Sequence, residues 1–404
     1  MGTSSRAFIV AWGVALLFYV IQYSTRSAPG VMIPNLREAF GQSAVGISDI
    51  LGSYYYAYAL VSLAAGVALD RVGAKYIVPM GACFLGLGCL LFSLDNSGTA
   101  YAARILQGTG SAFAFTGAVY LAARGFSPTV LATAVGATQA MGMLGGSAGQ
   151  FLVGPLIAHG MNWKLFWFAT GFAGLAIACV LVIVTPGEER KDSGEPASLI
   201  APYGIVLSNP QSYLCGIVAG LLFAPTTVGM MTWGVAFLQA DRNFSYHDAV
   251  LAASLVPLGW AVGCPLLGWL ADRLGRRKPV VLGGSAAMIA GIAQVTFFPQ
   301  IVPATVMLFL LGVASGAAMI PYTMIKEVNP DSVKGSATGA INFINFGVTS
   351  LVGPIFAIFY GRTLAAAPDP AEHFQQAGAF WLAAVIFAML LAMFLRETGA
   401  RGQR

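Results

Sequence analysis

Charged residues are scarce in this sequence of 404 residues. Only 9% are Asp, Glu, Lys or Arg, against roughly 25% in an ordinary soluble protein. So few charges cannot cover the surface of a globular enzyme of this size. The 57% apolar content excludes a disordered chain, and the long unbroken apolar runs exclude an outer-membrane barrel, whose strands alternate polar and apolar residues.

Metal-ligating and nucleophilic patterns are also missing. The three histidines fall in predicted loops and the five cysteines in apolar runs, without CxxC or HExxH spacing. The sequence contains no glycine-rich phosphate loop and no polar region long enough for a soluble nucleotide-binding domain. We therefore expect no metal, no cofactor and no enzymatic activity.

Long apolar segments make up most of the chain, whose mean hydropathy is +0.75. A membrane-spanning helix needs about 20 apolar residues, and twelve such segments can be placed. The longest polar stretch, residues 186–210, lies at mid-chain. We predict an all-α polytopic membrane protein of twelve transmembrane helices in two six-helix bundles, residues 1–185 and 211–404, joined by a cytoplasmic linker at 186–210.

The basic residues indicate the orientation of these spans in the lipid bilayer. With both termini on the cytoplasmic side, fifteen of the 21 Lys and Arg residues fall inside, four outside and two within spans. Positive charge collects in cytoplasmic loops, so both termini are predicted to be cytoplasmic. The net charge of +5 then reflects topology and does not indicate a nucleic-acid partner.

An internal repeat supports the division into two halves. The pattern G-x-x-x-D-R-x-G-x-[RK] begins at Gly66 and again at Gly268, an offset of 202 residues. The two copies follow the second and the eighth predicted span. Duplication of a six-helix unit, with the halves related by a pseudo-two-fold axis, explains this spacing.

These two loops, which we call the signature loops, resemble the signature loop of the major facilitator superfamily. The helix count, the central linker and the orientation agree with that resemblance. It implies a secondary transporter with one central site and alternating access by rocking of the halves. Glycines allow close helix approach, and the aspartates can pair with basic residues and helix ends to latch each half. The residues assigned to gating are Gly66, Asp70, Arg71, Gly73, Lys75, Gly268, Asp272, Arg273, Gly275, Arg276 and Arg277.

Arg26 is a charge inside the first predicted span, eleven residues before Arg37. In one straight helix it would lie about 16 Å below the outer surface, and an embedded charge is a functional hypothesis by default. Tyr19, Gln22 and Tyr23 share its helical face. A stripe of polar side chains around an arginine fits a water-filled cavity, in which the guanidinium holds a carboxylate or phosphate. The alternative is that a helix end or an internal acid neutralises the arginine.

The second span carries Tyr54 and Tyr58 on one face, where a phenol could donate to a substrate or serve as aromatic packing. Arg26 and this tyrosine run, twelve residues before Asp70, resemble the organic anion:cation symporter branch of the superfamily. The resemblance implies that Arg26 and Tyr58 hold an anionic substrate. The branch often carries an acid in the fourth span, whereas this sequence has none there.

Further polar residues lie within predicted spans. The R-x-x-Q-G-x-G pattern in the fourth span resembles the superfamily's motif there, and its arginine could serve either structure or substrate. The second half lacks a counterpart of Arg26, so its contribution to the site is predicted to be uncharged. The additional substrate-binding candidates are Arg104, Gln107, Gln139, Tyr322, Asn342 and Asn345.

Proton coupling normally needs a group that titrates inside the membrane. Asp49 and Glu327 are the acids that touch predicted spans outside the signature loops. Asp49 is the better candidate because it lies nearer the level of Arg26. The alternative is that the substrate itself carries the proton.

The sequence thus favours import of a small organic anion, such as a monocarboxylate, with a proton or another cation. We expect a functional monomer in a bacterial inner membrane. A proton-coupled efflux antiporter for drugs or lipophilic compounds and a non-transporting membrane sensor on the same fold are the alternatives. A cationic drug would require an embedded carboxylate, whereas the embedded charge here is an arginine.

Overall fold

The computed structural model describes residues 3–94, 96–187, 201–366 and 370–399. All regular elements within these ranges are helical. Polar caps fix where several helices begin, because a side-chain oxygen accepts from an otherwise unpaired backbone N–H. Ser43, Asn96 and Asn209 accept in this way from Gly46, Gly98 and Gln211.

The first half contains six long helices and two short ones. They are α1 (Thr3–Ser27), α2 (Ile33–Phe40), α3 (Ala44–Val72), α4 (Ala74–Phe92), α5 (Ser97–Gly125), α6 (Pro128–Phe151), α7 (Val153–Ala158) and α8 (Trp163–Val184).

The second half begins after a short linker helix, α9 (Ala201–Leu207). Its elements are α10 (Pro210–Ala224), α11 (Gly234–Arg242), α12 (Tyr246–Leu274), α13 (Lys278–Phe297), α14 (Ala304–Ser315), α15 (Ile320–Glu327), α16 (Lys334–Ala366) and α17 (Pro370–Ala392).

Eleven helical segments of the described chain are long and apolar enough to cross a membrane. The remaining predicted span is α5, which has 29 residues but contains more Gly, Ser, Thr, Gln and Arg and does not reach the hydropathy of the others. It packs against α1, α3 and α4 inside the first half. The fold is therefore all-α and polytopic, and the predicted span near residues 100–123 is present as a buried helix.

The two halves meet along two helix pairs. In the first half α1, α3, α4, α5, α6 and α8 pack on one another, and in the second α10, α12, α13, α14, α16 and α17 do so. Between the halves, α3 packs along α16 and α6 along α12. The start of α1 and the ends of α3 and α12 share one end of the bundle, the terminal end; we call the other the distal end.

Four spans are interrupted, one of them only at Leu152 between α6 and α7. A 3-10 turn, Ala28–Val31, separates α1 from α2, so the straight helix that placed Arg26 about 16 Å below the level of Arg37 was a wrong assumption. A π-helical segment at Pro225–Met230 follows α10, and a 3-10 turn at Gly316–Met319 separates α14 from α15. Such breaks are tolerated in spans because neighbouring helices satisfy the freed backbone groups.

The predicted linker at 186–210 is described at its two ends, and its residues 188–200 lie outside the described chain. Helix α9 packs across the terminal end of α16. The Tyr203 hydroxyl donates to the carbonyl oxygen of Leu63 in α3. Burial raises the pKa of Tyr203. The linker helix thus contacts α3 of the first half and α10 and α16 of the second.

Candidate functional site

Arg26 lies in the last turn of α1 and is 3% exposed. Five aromatic rings surround its guanidinium, whose Cζ lies 4.3 Å from the ring centre of Tyr23 and 5.4 Å from that of Phe346. Tyr54, Tyr55 and Tyr58 of α3 supply the other three rings at 5.4, 5.9 and 5.6 Å. We call these five side chains the aromatic cage. Ring faces attract a cation, so the cage favours a guanidinium at this place.

The guanidinium has little hydrogen bonding within the protein. Its Nη2 donates to the Tyr54 hydroxyl at 3.3 Å, whereas Nε and Nη1 are buried without a partner. Within the described chain, no carboxylate comes within ion-pair distance of Arg26. An unpaired buried charge costs several kcal/mol, and no described residue of the protein offsets that cost at Arg26 with a negative charge.

Tyr54 connects Arg26 to the rest of the first half. Its hydroxyl accepts from Arg26 and from the Gln22 Nε2, and its ring lies 4.7 Å from the Arg104 Cζ. Gln22 is fully buried, and its Oε1 has no partner. The structure therefore brings together Arg26, Gln22 and Tyr54, three of the predicted substrate-binding residues.

Arg104 and Gln107 of α5 serve mainly helix packing. The Arg104 Nη1 donates to Gln107 at 2.7 Å and to the Thr25 carbonyl at 3.3 Å, and Nη2 lies 3.5 Å from the Leu51 carbonyl. Gln107 in turn donates to the Gly88 carbonyl at 3.0 Å. Of the two roles left open for Arg104, these backbone contacts favour the structural one.

The predicted stripe on α1 continues from the cage toward α6. The rings of Tyr23 and Tyr19 meet edge-on at 5.1 Å, and the Tyr19 hydroxyl donates to the Gln139 Oε1 at 3.3 Å. Gln139 is thus joined to the cage through two tyrosines and does not contact Arg26 directly.

In the second half, three predicted substrate-binding residues form an uncharged polar cluster. The Asn345 Nδ2 donates to the Tyr322 hydroxyl, which donates to the Asn342 Oδ1, both at 2.8 Å. Asn345 is 1% exposed, and its Oδ1 has no partner. We call these three side chains the amide cluster.

Phe346 and Tyr55 are the cage members that the sequence reasoning missed. Phe346 follows Asn345 on α16 and reaches across the interface, with its ring centre 4.2 Å from that of Tyr58. No charge or motif distinguishes it among 26 phenylalanines, so only the pairing of α3 with α16 identifies it. Tyr55 stood within the recognised tyrosine run and could have been included.

The family model of the Major Facilitator Superfamily matches residues 15–354. The chain belongs to this superfamily. Members of the superfamily are transporters and not enzymes, so the chain is an integral membrane protein of a transporter family.

Two curated relatives are 24% identical in sequence to this superfamily member over the aligned residues. The probable galactarate/D-glucarate transporter GudP of Bacillus subtilis (strain 168) matches over 87% of this chain and 85% of its own length. The probable sulfoacetate transporter SauU of Cupriavidus necator matches over 87% of both chains. The membrane sensor protein UhpC of Salmonella typhimurium is 23% identical over 85% of this chain and 83% of its own.

The fold of the chain is also similar to that of a solved transporter structure. A crystal structure of a bacterial homologue of the human lysosomal transporter Spinster, in an inward-facing and unoccupied conformation, aligns with a TM-score of 0.76. The alignment covers 98% of this chain and 97% of that one at 16% identity. At this identity the likeness shows the fold alone.

In this superfamily member, the second signature loop is the centre of a charge cluster at the terminal end. Arg277 pairs with Asp272 and, at 3.1 Å, with Glu327. The Glu397 Oε1 accepts from the Arg277 backbone N–H at 2.8 Å, and its Oε2 pairs with Arg276 at 3.3 Å. Partial burial lowers the pKa of Arg277, while the hydrogen bonds and charges of Asp272 and Glu327 raise it by more.

The other gating candidates take separate places. Gly73 and Gly275 end α3 and α12 with φ of 82° and 64°, values that favour glycine. Lys75 donates to the Thr185 carbonyl at 3.3 Å, and Arg273 stacks on Trp269. The Asp70 side chain lies outside the described part of the structure. Arg71 is exposed, and Gly66 and Gly268 lie within α3 and α12 with open space beside them.

The coupling candidates lie at opposite ends of the bundle. Asp49 is partly buried in the second turn of α3, five residues before Tyr54. Glu327 ends α15 and belongs to the charge cluster around Arg277. Asp49 is thus the candidate on the helix that supplies three cage tyrosines.

We expect Arg277→Ala to lower the stability of the protein, because the ion pairs of Arg277 join α12 to α15. Since Asp272 is 71% exposed and Glu327 22% exposed, the loss is about 1 kcal/mol. Thermal unfolding in detergent measures it. Arg276→Ala is the control, because Arg276 is 56% exposed and should matter less. Equal melting temperatures for wild type and Arg277→Ala would contradict the prediction.

Proposed function

We propose that this protein is a secondary active transporter that imports a small organic anion, such as a monocarboxylate or a related metabolite, by alternating access. Import is coupled to a proton or another cation. The protein works as a monomer in a bacterial inner membrane, with both termini in the cytoplasm. The halves correspond to residues 1–185 and 211–404, and rocking between them exposes the cage to each side in turn.

One observation carries the proposal: the Arg26 guanidinium is buried at the interface of the halves with Nε and Nη1 unpaired. A planar guanidinium presents N–H groups in a fork that fits a carboxylate. The cage includes Phe346 from the second half, so an anion bound to Arg26 would contact both halves. The names of GudP and SauU refer to transport of organic anions, which supports the same substrate class.

The sensor alternative stays open because UhpC is a relative over most of the chain. A sensor could use the same cage to bind its ligand without carrying it across. The efflux alternative for cationic compounds receives less support, because the cage holds a cation and not a carboxylate.

Binding followed by uptake separates transport from sensing. A thermal-shift screen of carboxylates, amino acids and organic phosphates would identify a binder of the purified protein. That compound, radiolabelled, is then offered to proteoliposomes. We expect time-dependent uptake above protein-free liposomes. A compound that stabilises the protein strongly without entering the proteoliposomes would instead favour the sensor.

We further expect Asp49→Asn to abolish accumulation driven by a pH gradient while leaving exchange of labelled for unlabelled substrate intact. One coupled proton sustains about tenfold accumulation per pH unit, and an amide cannot carry that proton. Asp248→Asn is the control, since Asp248 is exposed in the first turn of α12. If the Asp49 variant accumulated substrate like wild type, the substrate itself would be the better candidate for the proton carrier.

A further inference from the structure

We propose that a cavity inside the second half binds an anionic phospholipid, with an acyl chain in the cavity and the phosphate group at Arg242. We call this space the distal cavity. All of its lining residues belong to the second half, and none of the five side chains of the aromatic cage is among them. The distal cavity is therefore a second site, separate from the one that surrounds Arg26.

The distal cavity lies between the π-helical segment Pro225–Met230 and the helices α11, α13, α14 and α17. Its volume of about 460 Å³ is within the range of ligand pockets. The lining side chains are apolar apart from the Thr296 hydroxyl and the indole N–H of Trp381. Because water needs several polar partners to occupy a cavity, an apolar group is the occupant that these walls fit.

The distal cavity is elongated along the helices. On α17 its wall extends from Phe374 to Trp381, seven residues or about 10 Å along the helix axis. On α13 the wall extends from Ile292 to Thr296, next to the distal end of that helix. Membrane helices tilt only about 20° from the bilayer normal. The cavity thus runs from the distal end into the membrane, in the direction of an acyl chain.

Arg242 lies at the distal edge of this cavity. It is the last residue of α11, its Nη2 donates to the Val295 carbonyl at 2.7 Å, and its Cζ lies 4.6 Å from the ring centre of Phe374. Val295 and Phe374 both line the cavity. An arginine at the end of a membrane helix places its charge at the level of the lipid headgroups. A guanidinium there can hold a phosphate through charge-assisted hydrogen bonds.

The surface beside the distal cavity is apolar. Phe298 and Ile301, in the connection between α13 and α14, and Val306 near the start of α14 are all exposed. Exposed apolar side chains that adjoin a charged group mark a membrane contact. Lipid is the apolar molecule that surrounds a membrane-spanning chain, and a lipid with a net negative charge complements Arg242.

A bound chain would support the π-helical segment, because Pro225 and Met230 both line the cavity. On the other side of this segment, the Gln150 Nε2 of α6 donates to the Met231 carbonyl at 2.9 Å. Gly30 of the first half approaches the same carbonyl so closely that a Cβ atom would overlap it. The lipid would therefore stabilise a segment through which the second half contacts the first.

Two lipids with the same acyl chains, phosphatidylglycerol and phosphatidylcholine, test the inference with the purified full-length protein in detergent. We expect phosphatidylglycerol to raise the melting temperature by several degrees more than phosphatidylcholine does. Arg242→Gln should remove most of this difference, because the phosphate loses its charged partner. Arg37→Gln, at an exposed position of α2, is the matched control and should keep the difference.

Ala377→Leu tests the chain-binding part, because Ala377 lines the distal cavity and is buried. A larger side chain occupies the space of the acyl chain, so the preference for phosphatidylglycerol should disappear. Since the leucine fills an existing cavity, the lipid-free variant should melt at the same or a higher temperature than wild type. The two lipids are compared within each variant, so a change in lipid-free stability does not affect the result.

Equal shifts with the two lipids in wild type would overturn the inference. An undiminished preference for phosphatidylglycerol in Arg242→Gln would do so as well, because the headgroup would then lie elsewhere. The same preference in Ala377→Leu would show that no chain enters the cavity. Inorganic phosphate should give no shift that depends on Arg242. If phosphate alone reproduced the effect of phosphatidylglycerol, the site would bind a free anion and the lipid would be refuted.

Discussion

Replacing Arg26 by alanine is expected to weaken substrate binding about a hundredfold or more. The substrate loses its charge-assisted hydrogen bonds and the positive charge at the centre of the cage, and such losses cost about 3 kcal/mol or more. Arg26→Lys should lose most of the binding too. An ammonium cannot form the planar fork, nor can it stack as a guanidinium does over the Tyr23 ring, 4.3 Å away. Calorimetry with the substrate found by thermal shift gives the affinities.

The stability of these variants without substrate distinguishes a binding role from a structural one. Because two nitrogens of Arg26 are buried without partners, its removal takes away an unfavourable charge. The melting temperature of substrate-free Arg26→Ala should therefore equal or exceed that of wild type. Removal of a structural ion pair would lower it. Arg37→Lys, at an exposed position of α2, controls for a general effect of losing a guanidinium. Unchanged affinity in Arg26→Ala would refute the anion site.

The architecture could be predicted from the sequence because the bilayer imposes simple rules on composition. Apolar length sets the spans, and the repeat of the signature loop at an offset of 202 residues indicates the two halves. The breaks at Ala28–Val31 and Gly316–Met319 were not predicted. Both depend on how neighbouring helices satisfy backbone groups, which hydropathy does not record. The break at Pro225–Met230 begins at a proline, a residue that removes a backbone donor.

Candidate site residues could be identified from the sequence when they are polar groups in an apolar span. A residue that reaches the cage only through helix packing could not. Arg26, Gln22 and the tyrosine run stand out as polar groups in apolar segments. The structure places Tyr54, Tyr55 and Tyr58 around Arg26, and Gln22 donates to Tyr54. Phe346 is chemically ordinary in a span, and its role arises from the contact of α3 with α16. The partners in the charge cluster around Arg277 could not be predicted either. Both signature loops were recognised, but the carboxylates that Glu327 and Glu397 bring to Arg276 and Arg277 come from distant parts of the chain.

Gly108, the first glycine of the R-x-x-Q-G-x-G pattern, links the packing of α5 to the candidate site. Gly108 on α5 lies directly against the backbone carbonyl of Tyr54 on α3, and a Cβ atom there would overlap that oxygen. Tyr54 is also the residue whose hydroxyl accepts hydrogen bonds from Arg26 and Gln22. The motif thus sets the distance between α3 and α5 and, through it, the place of the Tyr54 hydroxyl.

Gly108→Ala is therefore expected to impair both stability and binding. Overlap with backbone cannot be relieved by a side-chain rotation, so α3 and α5 must separate, at a cost of about 1–3 kcal/mol. The melting temperature in detergent should fall by several degrees. Substrate affinity should fall about tenfold as Tyr54 moves away from Arg26.

Gly52→Ala provides the matched comparison, because Gly52 is buried on α3 with open space around it. That variant gains helix propensity without a clash, so it should bind like wild type and melt at the same or a higher temperature. Equal behaviour of the two alanine variants would show that the approach of α5 to Tyr54 does not shape the cage. A loss of stability in Gly108→Ala with unchanged affinity would confine its role to packing and separate the motif from the site.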